Sequence, residues 1–128
     1  MMTRATDRAS PLQGVSVLVV EDEFYLAMDI KEEIERAQGT VFGPAPDSTA
    51  TMSLIAEQRP DCAVVDINLG EGASFEVATE LHRRRIPFLF LTGYEADLIP
   101  SDLAHIPRIE KPAEVSRVIE AITRLSGH

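Results

Sequence analysis

The chain has 128 residues, a formal net charge of −9, and 26% charged residues. That length fits one domain with its own core. The acidic balance excludes nucleic acid as a direct partner, since contact with the phosphate backbone needs clustered Lys and Arg. No apolar run is long enough to span a bilayer, and "MMTRATDRASPLQG" lacks the apolar stretch of a secretory signal. The expected location is therefore cytoplasmic, with no membrane partner. Residues 1–13 read as a flexible tail and 14–128 as the folded domain.

Five apolar runs alternate with five segments of helical character. "VSVLVV" (15–20) is a continuous β-branched run of the kind that forms a buried strand. After it, Ala27, Ile30, Ile34 and Ala37 recur at spacings of three and four, which predicts an amphipathic helix stopped at Gly39. "TVFGPA" (40–45) is a second strand, and Pro44 and Pro46 assign it to a sheet edge. Asp47 or Ser48 caps the next helix, about 48–58, and Pro60 ends it.

"CAVVD" (62–66) is the third strand, and Phe75, Ala78 and Leu81 mark one face of a third helix. "PFLFLT" (87–92) is the fourth strand. "GYEADLIPSDLAHIP" is interrupted by Pro100, so the fourth helix is expected to be short or irregular. "RIE" (108–110) is a very short fifth strand, followed by a helix faced by Val115, Val118, Ile119, Ile122 and Leu125. This alternation implies an α/β fold in three layers, a doubly wound five-stranded parallel sheet with helices on both faces.

The remaining chemistry-bearing residues are sparse. Cys62 sits inside an apolar strand and reads as a small buried side chain. His82, His105 and His128 have no metal-ligand spacing. The basic run "HRRR" (82–85) falls at a helix C-terminus, where positive charge complements the dipole.

Ligands of open parallel sheets bind beyond the carboxyl ends of the strands. Glu21 and Asp22 stand there after strand one, Asp66 after strand three, Thr92 after strand four, and Lys111 after strand five. A single Asp after a strand is an ordinary turn or cap residue; the convergence is what points to a site. Clustered carboxylates raise one another's pKa values, a conflict that a divalent cation removes. An all-oxygen donor set suits Mg²⁺, with Asp22 and Asp66 as ligands, Glu21 direct or through water, and the backbone carbonyl of Asn68 as a further donor. A metal-bound carboxylate beside a hydroxyl and an ammonium reads as a phosphoryl-transfer site, with Asp66 as nucleophile. The Lys111–Pro112 bond is a candidate cis peptide.

On "VLVVEDE", "VVDINLG", "FLTGY" and "EKP", in that order, the chain resembles the receiver domains of bacterial two-component response regulators over roughly residues 14–126. The resemblance implies strand order 2-1-3-4-5. It implies Mg²⁺-dependent phosphorylation of Asp66 by a histidine kinase or histidine phosphotransfer protein. It also implies a response led by Thr92 and spread across the fourth helix, fifth strand and fifth helix, the face offered to a downstream protein. A monomer or weak dimer without an output domain is expected.

Three features depart from the usual pattern. The loop after Asp66 is "NLGEGAS"; the position that often carries a switch aromatic is Arg108; and Tyr94 follows Thr92 by two residues, as in a subgroup with a Phe-Ala-Thr-Gly-Tyr-like motif. Tyr94 is the candidate to take over gating. The alternatives are a haloacid-dehalogenase-like phosphatase, a receiver-like interaction module that is never phosphorylated, and a receiver excised from a hybrid kinase. Chain order opposes the phosphatase, because Asp66 is followed by Ile67 and Asn68, and the acidic pair precedes it.

Overall fold

The computed structural model describes residues 10–69 and 75–127, apart from the side chains of Tyr94 and Glu95. The strands are β1 (Ser16–Val20), β2 (Thr40–Ala45), β3 (Cys62–Asp66), β4 (Phe88–Thr92) and β5 (Arg108–Glu110). The helices are α1 (Phe24–Arg36), α2 (Ser48–Glu57), α3 (Glu76–Arg83) and α4 (Val115–Leu125). All pairings are parallel, and the sheet order is β2-β1-β3-β4-β5. The fold class and strand order are those the sequence led us to expect, and β2 does lie at an edge.

Alternation along the strands divides the core in two. Val17 and Val19, Cys62 and Val64, and Leu89 and Leu91 pack on one face with Ile30 and Ile34 of α1 and Val118 and Ile122 of α4. Leu18 and Val20, Ala63 and Val65, and Phe88 and Phe90 pack on the other with Ile55 of α2 and Val77, Ala78 and Leu81 of α3. Every residue of β3 and β4 is buried. That is why these strands read as unbroken apolar runs rather than alternating ones.

Local chemistry explains the element limits. Asp47 caps α2, accepting from the Ala50 amide at 2.8 Å, and the helix stops as Gln58 turns extended before Pro60. At the end of α1 the left-handed conformation falls on Gln38, at φ 72°. Gly39 is needed for space instead: a Cβ there would lie 2.8 Å from Ile34 Cγ2. The fourth helical segment is two 3-10 turns, Tyr94–Leu98 and Ser101–Leu103, divided at Pro100, with Leu103 buried against the second core.

Several features lay beyond the sequence reading. Leu12, assigned to the tail, is fully buried in the first core, and its amide donates to Ala37 O at 3.0 Å. The packed region thus reaches back at least to residue 12. In β2 the Gly43–Pro44 bond is cis, and the register against β1 shifts between Leu18 and Val20. The basic run at 82–85 has a role more specific than dipole compensation: Arg83 and Arg84 both pair with Glu80. Arg59 donates to the carbonyls of Arg84 and Arg85, which ties the end of α2 to the end of α3.

Candidate functional site

Buried strands β1, β3 and β4 run their polar ends out at one edge of the sheet. Glu21 and Asp66 are 2% and 3% exposed, and Thr92 is fully buried. Asp22 is exposed. Carboxylate oxygens of Glu21, Asp22 and Asp66 all lie within 4.8 Å of one another. Lys111 reaches over from the end of β5. Its Nζ is 3.1 Å from Asp66 Oδ2, 3.0 Å from Glu21 Oε1 and 3.2 Å from Glu21 Oε2. The Lys111–Pro112 bond is cis, and the Lys111 amide donates to Thr92 O at 2.6 Å. The amide of Asn68 donates to Asp66 Oδ1 at 3.0 Å.

These contacts leave the electrostatics unbalanced. Burial pushes the Glu21 carboxyl up to about 7; the Glu23 amide pulls it back, and the neighbouring Asp66 raises it further. Burial also raises Asp66, more than Glu21, Lys111 and the Asn68 amide lower it. Burial disfavours the Lys111 ammonium, yet the two carboxylates outweigh that and hold its pKa above the usual lysine value. One ammonium therefore serves two buried acids. Glu21 Oε1 faces the Lys111 ammonium at 3.0 Å, whereas Thr92 Oγ1 is buried without a hydrogen-bond partner among the described residues. Buried polar atoms are rarely left so. An all-oxygen donor set with more acid than the one ammonium balances fits a hard divalent cation such as Mg²⁺. An uncommitted hydroxyl beside it fits an incoming anionic oxygen.

Glu21, Asp22, Asp66 and Lys111 are thus brought together, with Thr92 on the strand next to Asp66. Arg108 is not part of this cluster: it is exposed at the start of β5, paired in register with Phe90. The Tyr94 side chain and loop residues 70–74 lie outside the described residues. The sequence reading missed Glu23. Its Oε1 is 3.6 Å from Lys111 Nζ and its amide donates to Glu21 Oε2 at 2.9 Å. The third acid of "EDE" was its only signal.

A family model described as the response regulator receiver domain matches residues 17–123. The phyllosphere-induced regulator PhyR of Methylorubrum extorquens is 30% identical over 113 residues, which is 83% of this chain and 42% of that protein. The chemotaxis protein CheY of Thermotoga maritima is 28% identical over 118 residues, covering 88% of this chain and 98% of that one. Among solved structures, the BeF3-activated conformation of SdrG from Pseudomonas melonis Fr1 is similar with a TM-score of 0.70 and 32% identity. It covers 87% of this chain and 95% of that one. The phosphatase alternative finds no support in these matches. With these matches laid over the acidic cluster, Lys111 and the buried Thr92 hydroxyl, the chain belongs to the response regulator receiver domain family.

Proposed function

We propose that this chain is a phosphoacceptor module, phosphorylated on Asp66 in a Mg²⁺-dependent reaction by a histidine kinase or histidine phosphotransfer protein. The observation that carries the reading is the placing of Asp66 and Lys111 3.1 Å apart, with two further acids and an uncommitted buried hydroxyl at the same sheet edge. The relative SdrG, solved in a BeF3-activated conformation, supports it by likeness.

Asp22, Asp66, Glu21 and the Asn68 carbonyl would hold the Mg²⁺. The ion, when bound, supplies positive charge against the phosphoryl oxygens. Buried β3 holds Asp66 in place, so its carboxylate oxygen attacks phosphorus from a fixed direction. An O–P bond forms as the donor N–P bond breaks, and the departing imidazole nitrogen keeps the electron pair and takes up a proton. Lys111, relieved of Asp66, turns its ammonium to the new phosphoryl oxygens. Thr92 Oγ1 donates to another and so acquires the partner it lacks among the described residues. The chain in this reading catalyses only its own phosphorylation and dephosphorylation. With arginine at 108 instead of an aromatic, the motion of Thr92 is passed on by another residue, for which we propose Tyr94. Exposed Phe24 and Tyr25, an edge-to-face pair at the start of α1 just after the acidic residues, offer the phosphodonor protein an apolar foothold.

Incubation with Mg²⁺ and acetyl phosphate, followed by intact mass measurement, tests this. The native chain should gain one phosphoryl group and Asp66→Asn should gain none. Absence of any gain with small-molecule and protein donors alike would leave the interaction module as the reading.

A further inference from the structure

Most described basic side chains are spoken for. Lys31 pairs with Glu35, Arg36 with Glu33, Arg83 and Arg84 with Glu80, and Lys111 with the acidic pocket. The side chains of Arg85, Arg108, Arg117 and Arg124 make no ion pair or hydrogen bond among the described residues, and the last three line one groove of about 430 Å³. The groove runs between edge strand β5 and α4, floored by Leu89, Ile109 and Ala121. Glu110 and Glu120 line it too, yet neither pairs with an arginine among the described residues.

In a chain with 21 acids and 12 Lys and Arg, free arginines gathered beside an apolar floor call for an explanation. Arg117 and Arg124, seven residues apart on α4, stand two turns apart on nearly one face. Arg108 meets them from the strand. Guanidinium groups recognise carboxylates through paired hydrogen bonds, and arginine beside an apolar pocket is the composition of an interface centre. Phosphate backbone is a poorer match, because the overall charge of −9 repels it and two glutamates share the groove.

We infer that the β5–α4 groove docks an acidic segment of a partner protein, with carboxylates on Arg108, Arg117 and Arg124 and an apolar side chain on the Leu89–Ile109–Ala121 floor. This gives a chemistry to the partner face that the family resemblance places on the fifth strand and last helix, and it does not depend on phosphorylation.

The probe is a synthetic peptide of Glu and Leu at helical spacing, with a Gln-for-Glu control, titrated into isotope-labelled protein and followed by amide NMR shifts. Native chain and Asp66→Asn are both used. Failure of the phosphoacceptor reading then leaves this result standing, and failure here leaves that reading standing. Shifts should centre on Arg108, Ile109, Arg117, Ala121 and Arg124 in both proteins. Affinity should weaken roughly tenfold in Arg117→Glu/Arg124→Glu and fall between about 50 mM and about 300 mM salt. The milder Arg124→Gln serves if the double variant does not keep the native thermal transition. Absence of shifts, equal binding of the Gln peptide, or binding unmoved by the arginine changes would overturn the inference. So would a salt-sensitive dimer of this chain dissolved by the same changes, or an oligonucleotide that shifts the groove when the peptide does not.

Discussion

Replacing Glu21 by Gln should make the metal-free protein more stable, and more so as pH rises. Glu21 is fully buried and shares one ammonium with Asp66. The fold raises its pKa from 4.5 to about 7. At about 1.4 kcal/mol for each pH unit, charging this side chain costs the folded state up to about 3 kcal/mol at pH 8. The sign follows from the raised value. Glu21's contribution is fully present below its unfolded pKa of 4.5 and lost as pH climbs through about 7. Gln keeps the shape and can still accept from Lys111, but it forfeits the ion pair, which returns about 1 kcal/mol. The net expectation is a gain of about 1–3 kcal/mol at pH 8, or roughly 3–10 °C in Tm for a chain of this size, and little gain at pH 5. Urea denaturation in EDTA at pH 5, 6, 7 and 8 reads this directly. Added Mg²⁺ should stabilise the native chain more than the variant and close the gap. The reasoning fails if the variant is no more stable than native at pH 8 without metal, or if the difference is the same at every pH.

Lys111→Ala should have the opposite effect, since it strands two buried acids without a counter-charge. The loss expected in EDTA at pH 8 is about 3 kcal/mol, partly restored by Mg²⁺, and denaturation equal to native would count against the charge balance described. Asp47→Ala removes the cap on Ala50 and should cost about 1 kcal/mol without changing Asp66 phosphorylation; a neutral result in thermal unfolding would contradict the capping role. Cys62 is fully buried, and burial pushes its thiol up to about 12. A thiol reagent such as Ellman's reagent should therefore react only as fast as the chain unfolds. The same raised value predicts stability that declines from about pH 9 towards 12, as the unfolded thiol ionises and the folded one does not.

Much of this molecule can be read from its apolar runs, because strands buried on both faces leave little room for anything but Val, Leu, Phe and Ala. Pro44 marked an edge strand and Pro100 a broken helix, both through the missing amide proton. Asp66, Thr92 and Lys111 were legible as a set because parallel topology sends every strand's carboxyl end to one side. Contacts that depend on side-chain reach were not. Glu23 bends back to Lys111 only because the chain turns between β1 and α1. Leu12 sits in what looked like a polar tail, where a single apolar residue carries no periodicity. Arg117 and Arg124 share a helix face visible in their spacing, but the third arginine arrives from a strand, and only the folded sheet brings it there.

The hydrogen bond from the Lys111 amide to the Thr92 carbonyl yokes two residues whose side chains serve the same pocket. The ends of β4 and β5 cannot drift apart without breaking it, so Thr92 and Lys111 share one frame of reference. If Asp66 is phosphorylated as proposed, the signal that begins when the Thr92 hydroxyl finds a partner should therefore leave by side-chain rotation or through the two 3-10 turns, and not by a sliding of strands. Substitutions at the two positions should then fail to add in a double-mutant cycle, behaving as one part of the machine with two handles.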